Sequence, residues 1–280
     1  MTAFIIFITG LIFGSFLSVL FSRLEVGDRP QKKPTRKKKQ STLKDVLVGR
    51  SRCDHCHTQL PWYDNIPILS FLLLRGKCRK CGTQISHYHP VLEVSSGLLF
   101  VAAYLFYGLD SQFFIACFFG LVMLLLFAFD SKHQIIPNLI VVPALLAALV
   151  LITAQFFVYQ DHPTLQLTLV EANPFKNLLG GAAAGGFFLL LYAISGGRWL
   201  GGGDLKLGVL IGLLLGWPHV LVALILAYLI GTAYAIALLV GRHATLQSML
   251  PFGPMLVMGW LVTLFYGEYI IQWYQGWFLL

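Results

Sequence analysis

GGGDLKLGVLIGLLLG, residues 201–216, is the stretch on which the architecture of this chain turns. It is apolar from 205 to 216 apart from Lys206, and at 1.5 Å per helical residue those twelve positions reach only about 18 Å. A membrane-spanning helix must cross roughly 30 Å of hydrocarbon. The segment therefore either extends past Trp217 and Pro218 and crosses, or it stops short. Seven longer apolar runs surround it, at 3–21, 90–108, 112–129, 138–158, 178–197, 219–240 and 255–275. If the short run crosses and the N-terminus lies outside, the loops 23–89, 130–137, 198–204 and 241–254 are cytoplasmic. Nineteen of the twenty Lys and Arg residues then lie inside or at the inner boundary, Lys176 being the exception. If it does not cross, Arg242 and His243 move outside, against the positive-inside tendency. The expected fold is an all-α polytopic membrane protein with about eight transmembrane helices.

Composition excludes the main alternative. Of 280 residues 57% are hydrophobic and 11% charged, against about 25% charged in a soluble domain. The formal charge of +8 is concentrated, with fifteen of the twenty basic residues between Arg23 and Lys80. The core of that cluster, RPQKKPTRKKKQ at 29–40, has no apolar periodicity and reads as a disordered anchor held near anionic lipid headgroups. No aromatic residues interleave with the charge, which argues against nucleic acid as a partner. The first apolar run lacks a basic n-region and a small-residue cleavage site, so it reads as a retained helix and not a signal peptide.

Cys53 and Cys56 form one C-x-x-C knuckle and Cys78 and Cys81 a second, after 21 intervening residues. Two knuckles at this separation can close a tetrahedral thiolate site around one structural Zn²⁺. The adjacent basic residues of RCDHC and KCRKC offset the charge of four thiolates. Two disulfides or a redox pair are the competing readings. A cytoplasmic loop is reducing, which disfavours disulfides, and redox chemistry needs only one knuckle. His55 and His57 are substitute ligands in principle, although four sulfurs already complete the shell. Cys117, alone in an apolar run, reads as a buried packer.

Charge at a membrane boundary is costly and so informative. Asp130 ends LVMLLLFAF and Asp204 follows GGG, and the topology above puts both at the cytoplasmic boundary. Two carboxylates brought about 3 Å apart share a proton, and one activates water while the other hydrogen-bonds the scissile carbonyl. Glycines before Asp204 let backbone approach an extended peptide. The competing reading makes both aspartates interfacial helix caps, Asp204 as an N-cap, with Lys132 and Lys206 as counterions. His133, near Asp130, is expected at the surface.

These residues resemble the type IV prepilin peptidase family, leader peptidases and N-methyltransferases of type IV pilus and type II secretion systems. GLIFGSFLSVLFSRL at 10–24 resembles the family's opening motif, and the paired knuckles recur in the same loop. ISHYHPVLEVSSG at 85–97 resembles the segment leading into the second helix, and FDSKHQIIPN at 129–138 matches an aspartate followed by an Ile-Pro step. GGGDLKL at 201–207 matches the G-x-G-D-x-K signature through Gly201, Gly203, Asp204 and Lys206. The resemblance implies that Asp130 and Asp204 are catalytic aspartates that cleave basic leaders of prepilins and pseudopilins after a glycine, at the cytoplasmic face of a bacterial inner membrane. It implies S-adenosylmethionine-dependent methylation of the new N-terminus, with Glu93 and Gly97 as candidate methyltransferase residues, and no glycine-rich nucleotide fingerprint accompanies them. The chain departs from the pattern at Ser18, His89 and Asn138, usually Asn, Tyr and Asp. Basic leaders would be repelled by the Lys-rich stretch, which fits lipid contact better than recruitment.

The expected organisation is a first transmembrane helix at 1–22, a cytoplasmic basic and zinc-binding loop associated with methyl transfer at 23–89, and a membrane-embedded aspartic peptidase at 90–280. Gly201, Gly203 and Lys206 are expected to support the dyad, Lys206 by setting charge or orienting a loop. A peptidase lacking methyl transfer and a transporter or assembly factor are the rivals. A transporter would carry its acids near the bilayer midplane, not at helix ends.

Overall fold

A computed structural model of the chain describes residues 1–28, 52–53, 55–56, 58–161, 169–198, 200–242 and 250–278. The Lys-rich stretch 29–40 and His57 lie outside the described residues. Among the described residues nine helices follow one another: α1 (Thr2–Asp28), the short α2 (Leu69–Leu73) after a 3-10 turn at Trp62–Asn65, α3 (Tyr88–Tyr107), α4 (Ser111–His133), α5 (Asn138–Asp161), α6 (Pro174–Ser195), α7 (Gly202–Leu215), α8 (His219–Val240) and α9 (Gly253–Phe278). No strand beyond isolated bridges occurs among the described residues. The chain is an all-α polytopic membrane protein.

Seven of these helices are long and apolar enough to cross a membrane. The exceptions are the five-residue α2 and the apolar but short α7. The extension past Trp217 and Pro218 does not occur: the helix ends at Leu215, Gly216 takes φ +73, and α8 begins at His219. Fourteen residues give about 21 Å, yet Leu207, Leu210, Ile211 and Leu215 are completely buried. α7 is thus sheathed by protein, packed most extensively on α6 and further on α5, α8 and α9. Shortness is tolerated because its ends meet other helices, and only lipid-facing backbone has to keep its polar groups satisfied within the span. The contact with α6 is backbone to backbone: a Cβ on Gly212 would collide with the carbonyl of Gly180.

Two compact units divide the chain at Met1–Leu105 and Phe106–Leu280. In the first, α1 crosses α3 through small residues. A Cβ on Gly14 would stand 2.7 Å from the Glu93 Cα, and Ser96 Oγ donates to the Gly10 carbonyl at 2.7 Å. In the second, α9 packs on α8 and α4 around Trp260, Phe119, Met123 and Leu126.

Candidate active site

In the second unit, four helix ends converge. α4 runs to His133 and closes where Gln134 adopts φ +54 and donates its amide to the Asp130 carbonyl at 2.9 Å. Asp130 is therefore in the last turn, where its side chain is buried at 5% exposure. Its Oδ2 accepts the backbone N–H of Gly253, the first residue of α9, at 2.9 Å. Asp204, half-buried in the first turn of α7, accepts the Gly201 N–H at 3.3 Å. It caps its helix from the third helical position, one turn beyond the N-cap that the sequence suggests, because Gly201 occupies that place. Capping does not take Asp204 out of the site. The same carboxylate lies within electrostatic reach of Asp130 and of the Tyr228 phenol.

Gly203 and Lys206 brace this arrangement. A Cβ on Gly203 would stand 3.0 Å from the Cβ of Ile136, so the loop between α4 and α5 lies directly on the glycine turn. Lys206 Nζ donates to Asn138 Oδ1 at 2.6 Å, tying the start of α7 to the start of α5. Where the resembled pattern has Asp, Asn138 supplies a neutral acceptor. His133, expected at the surface, is half-buried with its ring 5.9 Å from that of Phe129, because the last turn of α4 still faces the bundle.

Two contributors escaped the sequence reading. Gly253 stands in PFGP at 251–254, immediately ahead of an apolar run, and a Gly-Pro helix start was the available signal. Tyr228 packs on Phe252 at 5.0 Å and on Phe187 at 6.1 Å, in an aromatic cluster near Asp204. Nothing in the local pattern of an apolar helix distinguishes that tyrosine.

In the first unit the two knuckles fold alike. Bridges pair Arg52 with Gln59 and Lys77 with Gln84, and the amides of Cys53 and Cys78 donate to the carbonyls of Thr58 and Thr83 at 3.0 and 2.8 Å. The four sulfurs lie within 4.8 Å of one another. Cys53 Sγ and Cys81 Sγ are 3.8 Å apart, far beyond a disulfide and close to the separation of about 3.8 Å between sulfurs held tetrahedrally at 2.3 Å from zinc. The Thr83 hydroxyl beside Cys81 lowers that thiol to about 6, and Thr58 lowers Cys56 in the same way. Burial raises Cys53 to about 11, so a metal would have to displace its proton. The set fits one Zn²⁺, and with four sulfurs the site is closed. Cys117 is buried in α4, as expected.

Glu93 and Gly97 lie in the α1–α3 crossing. Glu93 is 7% exposed and its Oε2 accepts the Ile68 N–H at 2.8 Å, while Ser15 Oγ donates to the Asn65 carbonyl at 3.2 Å. Together they fasten the segment between the knuckles to the helices. Gly97 is covered by Phe7 and Leu11. Ser18 bonds the Ser15 carbonyl within its own helix at 2.9 Å, and His89 lies 3.5 Å from Ser22 Oγ.

Comparison with known proteins places the chain in a family. Residues 8–107 match the sequence model of the bacterial peptidase A24 N-terminal domain, and residues 117–236 match that of the type IV leader peptidase family. A prepilin leader peptidase/N-methyltransferase of Bacillus subtilis is 33% identical over 274 residues, 96% of each chain. The chain belongs to the type IV leader peptidase family. Two further family members carry the same description. The one from Pseudomonas aeruginosa is 30% identical, covering 95% of this chain and 90% of the relative, and the one from Legionella pneumophila is 27% identical, covering 95% and 92%. No solved structure gives a significant match. Within the family match, 117–236 takes in Asp130, Gly201, Gly203, Asp204, Lys206 and Tyr228, whereas Gly253 falls beyond it.

Proposed function

We propose that this protein cleaves the basic leader from prepilins and pseudopilins at the cytoplasmic face of the bacterial cytoplasmic (inner) membrane and N-methylates the new N-terminus. The observation that carries the peptidase reading is the convergence of Asp130 and Asp204, on separate helix ends, within electrostatic reach of each other. In this reading one carboxylate takes a proton from water while the other protonates the carbonyl of the scissile peptide. Gly201 and Gly203 keep side chains out of the substrate's path, and Lys206 holds the α4–α5 loop against the glycine turn. Seven long apolar helices and the concentration of Lys and Arg between the first two support a multi-pass protein with its N-terminus outside. The Lys-rich stretch meets anionic lipid.

Cys53, Cys56, Cys78 and Cys81 would hold one structural Zn²⁺, which when bound cross-links the two knuckles and supplies no open coordination position. S-adenosylmethionine supplies the methyl group in the transfer reaction. Glu93 and Gly97, both buried, we assign to holding the knuckle segment and the helix crossing, and no step is routed through them. Peptidase activity without methyl transfer is the second reading, favoured by that burial.

Leader removal in membranes tests the proposal, with Asp130→Ala and Asp204→Ala each compared with wild type at matched expression. Loss of cleavage in both establishes the dyad, and full cleavage by either returns that aspartate to a capping role. Mass spectrometry of the cleaved N-terminus separates the two readings by the presence or absence of the methyl group.

A further inference from the structure

The amide of Gly253 and the buried carboxylate of Asp130 make a contact that Asp130 does not need for its own helix. α4 is already closed by Gln134, whose amide bonds the Asp130 backbone carbonyl, so the Asp130 side chain has no capping duty on its own helix. At the start of α9 the first amides have no partner within the helix, and Pro254 has none to offer. The Gly253 amide is directed at Oδ2 alone, at 2.9 Å in a buried setting.

The glycine is required on steric grounds as well. A Cβ at 253 would stand 2.6 Å from Oδ2, 3.0 Å from Cγ and 3.2 Å from Cβ of Asp130. The three nearest atoms all belong to the aspartate side chain. Turning the carboxylate moves Oδ2 and Cγ out of the way, and the remaining 3.2 Å approach to Asp130 Cβ asks for a shift of a few tenths of an ångström. At Gly259, on the same helix, the colliding atoms include backbone of Ala223 and Ala227, and no such relief exists. Position 253 thus constrains the orientation of Asp130 more than it constrains the fold.

We propose that Gly253 is a positioning residue for the dyad: its amide occupies Oδ2 of Asp130, its missing side chain leaves room for that rotamer, and Oδ1 is thereby left to handle the proton. This deepens the aspartyl peptidase reading and rests on it. The chemistry imposes the same requirement from the other side. Asp204 has its Oδ2 on the Gly201 amide, so each carboxylate has one oxygen held by a backbone N–H and one left for the substrate and water.

The test uses the full-length protein in proteoliposomes with a purified prepilin as substrate, measuring kcat, KM and melting temperature. Gly253→Ala is expected to fold, to keep KM and to lose about 10- to 100-fold in kcat, the size of effect that a hydrogen bond to a charged group carries. Gly276→Ala, where a Cβ meets nothing within 4 Å, is expected to behave as wild type. Incorporating glycolic acid at 253 replaces the amide by an ester, removes the N–H with no added bulk, and is expected to lower kcat in the same direction. It decides alone should the alanine variant fail to fold. Wild-type kcat in either folded variant, a rise in KM in place of the kcat loss, or a kcat loss in the ester variant matched by loss of folded protein overturns the proposal. Asp130→Asn in the same assay separates the two levels: retained cleavage there sinks the dyad itself, whereas lost cleavage with an active Gly253→Ala sinks only the role of Gly253.

Discussion

Asp130 and Asp204 differ in how they are held, and that difference makes residue-scale predictions. Asp130 is deeply buried against a single amide, whereas Asp204 is half-buried and caps its own helix. Replacing either by Asn preserves shape and acceptor oxygen but removes proton transfer, and the expected loss in cleavage rate is about 10²- to 10⁴-fold, the range typical of general acid–base groups. Thermal unfolding should separate the two, with Asp204→Ala costing about 1 kcal/mol of helix capping beyond its effect on rate. Glu93 gives a different pattern. Glu93→Gln keeps an oxygen for the Ile68 amide, while Glu93→Ala leaves that amide without its buried partner. The alanine variant is expected to lose about 1–3 kcal/mol, and the glutamine variant should stay close to wild type in both stability and cleavage. Inactivity of Glu93→Gln with normal stability would give Glu93 a chemical role.

Among the elements, α7 bears the greatest constraint. It brings Asp204 to the site from a helix too short to match its neighbours, and the bundle holds it by close approach to α6 at Gly180 and Gly212. Gly212→Val would drive a branched side chain into the Gly180 carbonyl. The opposing atoms are backbone, so the helices must part, and a destabilisation of about 1–3 kcal/mol or more is expected. A thermal melt in detergent reads this as a lowered transition, and loss of cleavage should follow from displacement of Asp204. The link from α7 to α5 is lighter. Asn138→Asp would set a carboxylate against Lys206 Nζ, now 2.6 Å from the amide oxygen, and cleavage is expected to survive. Asn138→Leu removes the acceptor and should lower kcat by loosening the α4–α5 loop.

For the whole molecule, the four-cysteine cluster and the two aspartates belong to separate compact units. Metal analysis of purified protein is expected to give one zinc per chain, and Cys→Ser at 53, 56, 78 or 81 should abolish it. Loss of zinc is expected to make the knuckle segment sensitive to protease while helical content is retained, because the helices close their backbone hydrogen bonds internally. A bundle that collapses on zinc removal would contradict that independence.

Much of this was legible beforehand because membrane spans and metal knuckles are local patterns. A run of apolar residues must be helical in lipid, and C-x-x-C must place two sulfurs on one turn, whatever lies elsewhere in the chain. Asp130 and Asp204 also announced themselves, since acids bordering lipid are costly and need a reason. Three-dimensional packing decided the rest. That α7 ends at Leu215 depends on neighbours able to cover a short helix, which hydropathy does not encode. That Lys206 reaches Asn138, that Glu93 holds Ile68 and that Gly253 meets Asp130 are pairings across 68, 25 and 123 positions of sequence. The order of residues limits which side chains can carry charge and metal at the membrane edge. Which backbone amide each carboxylate meets is set by packing, because a hydrogen bond depends on distance and direction between atoms that the chain's own order leaves unrelated.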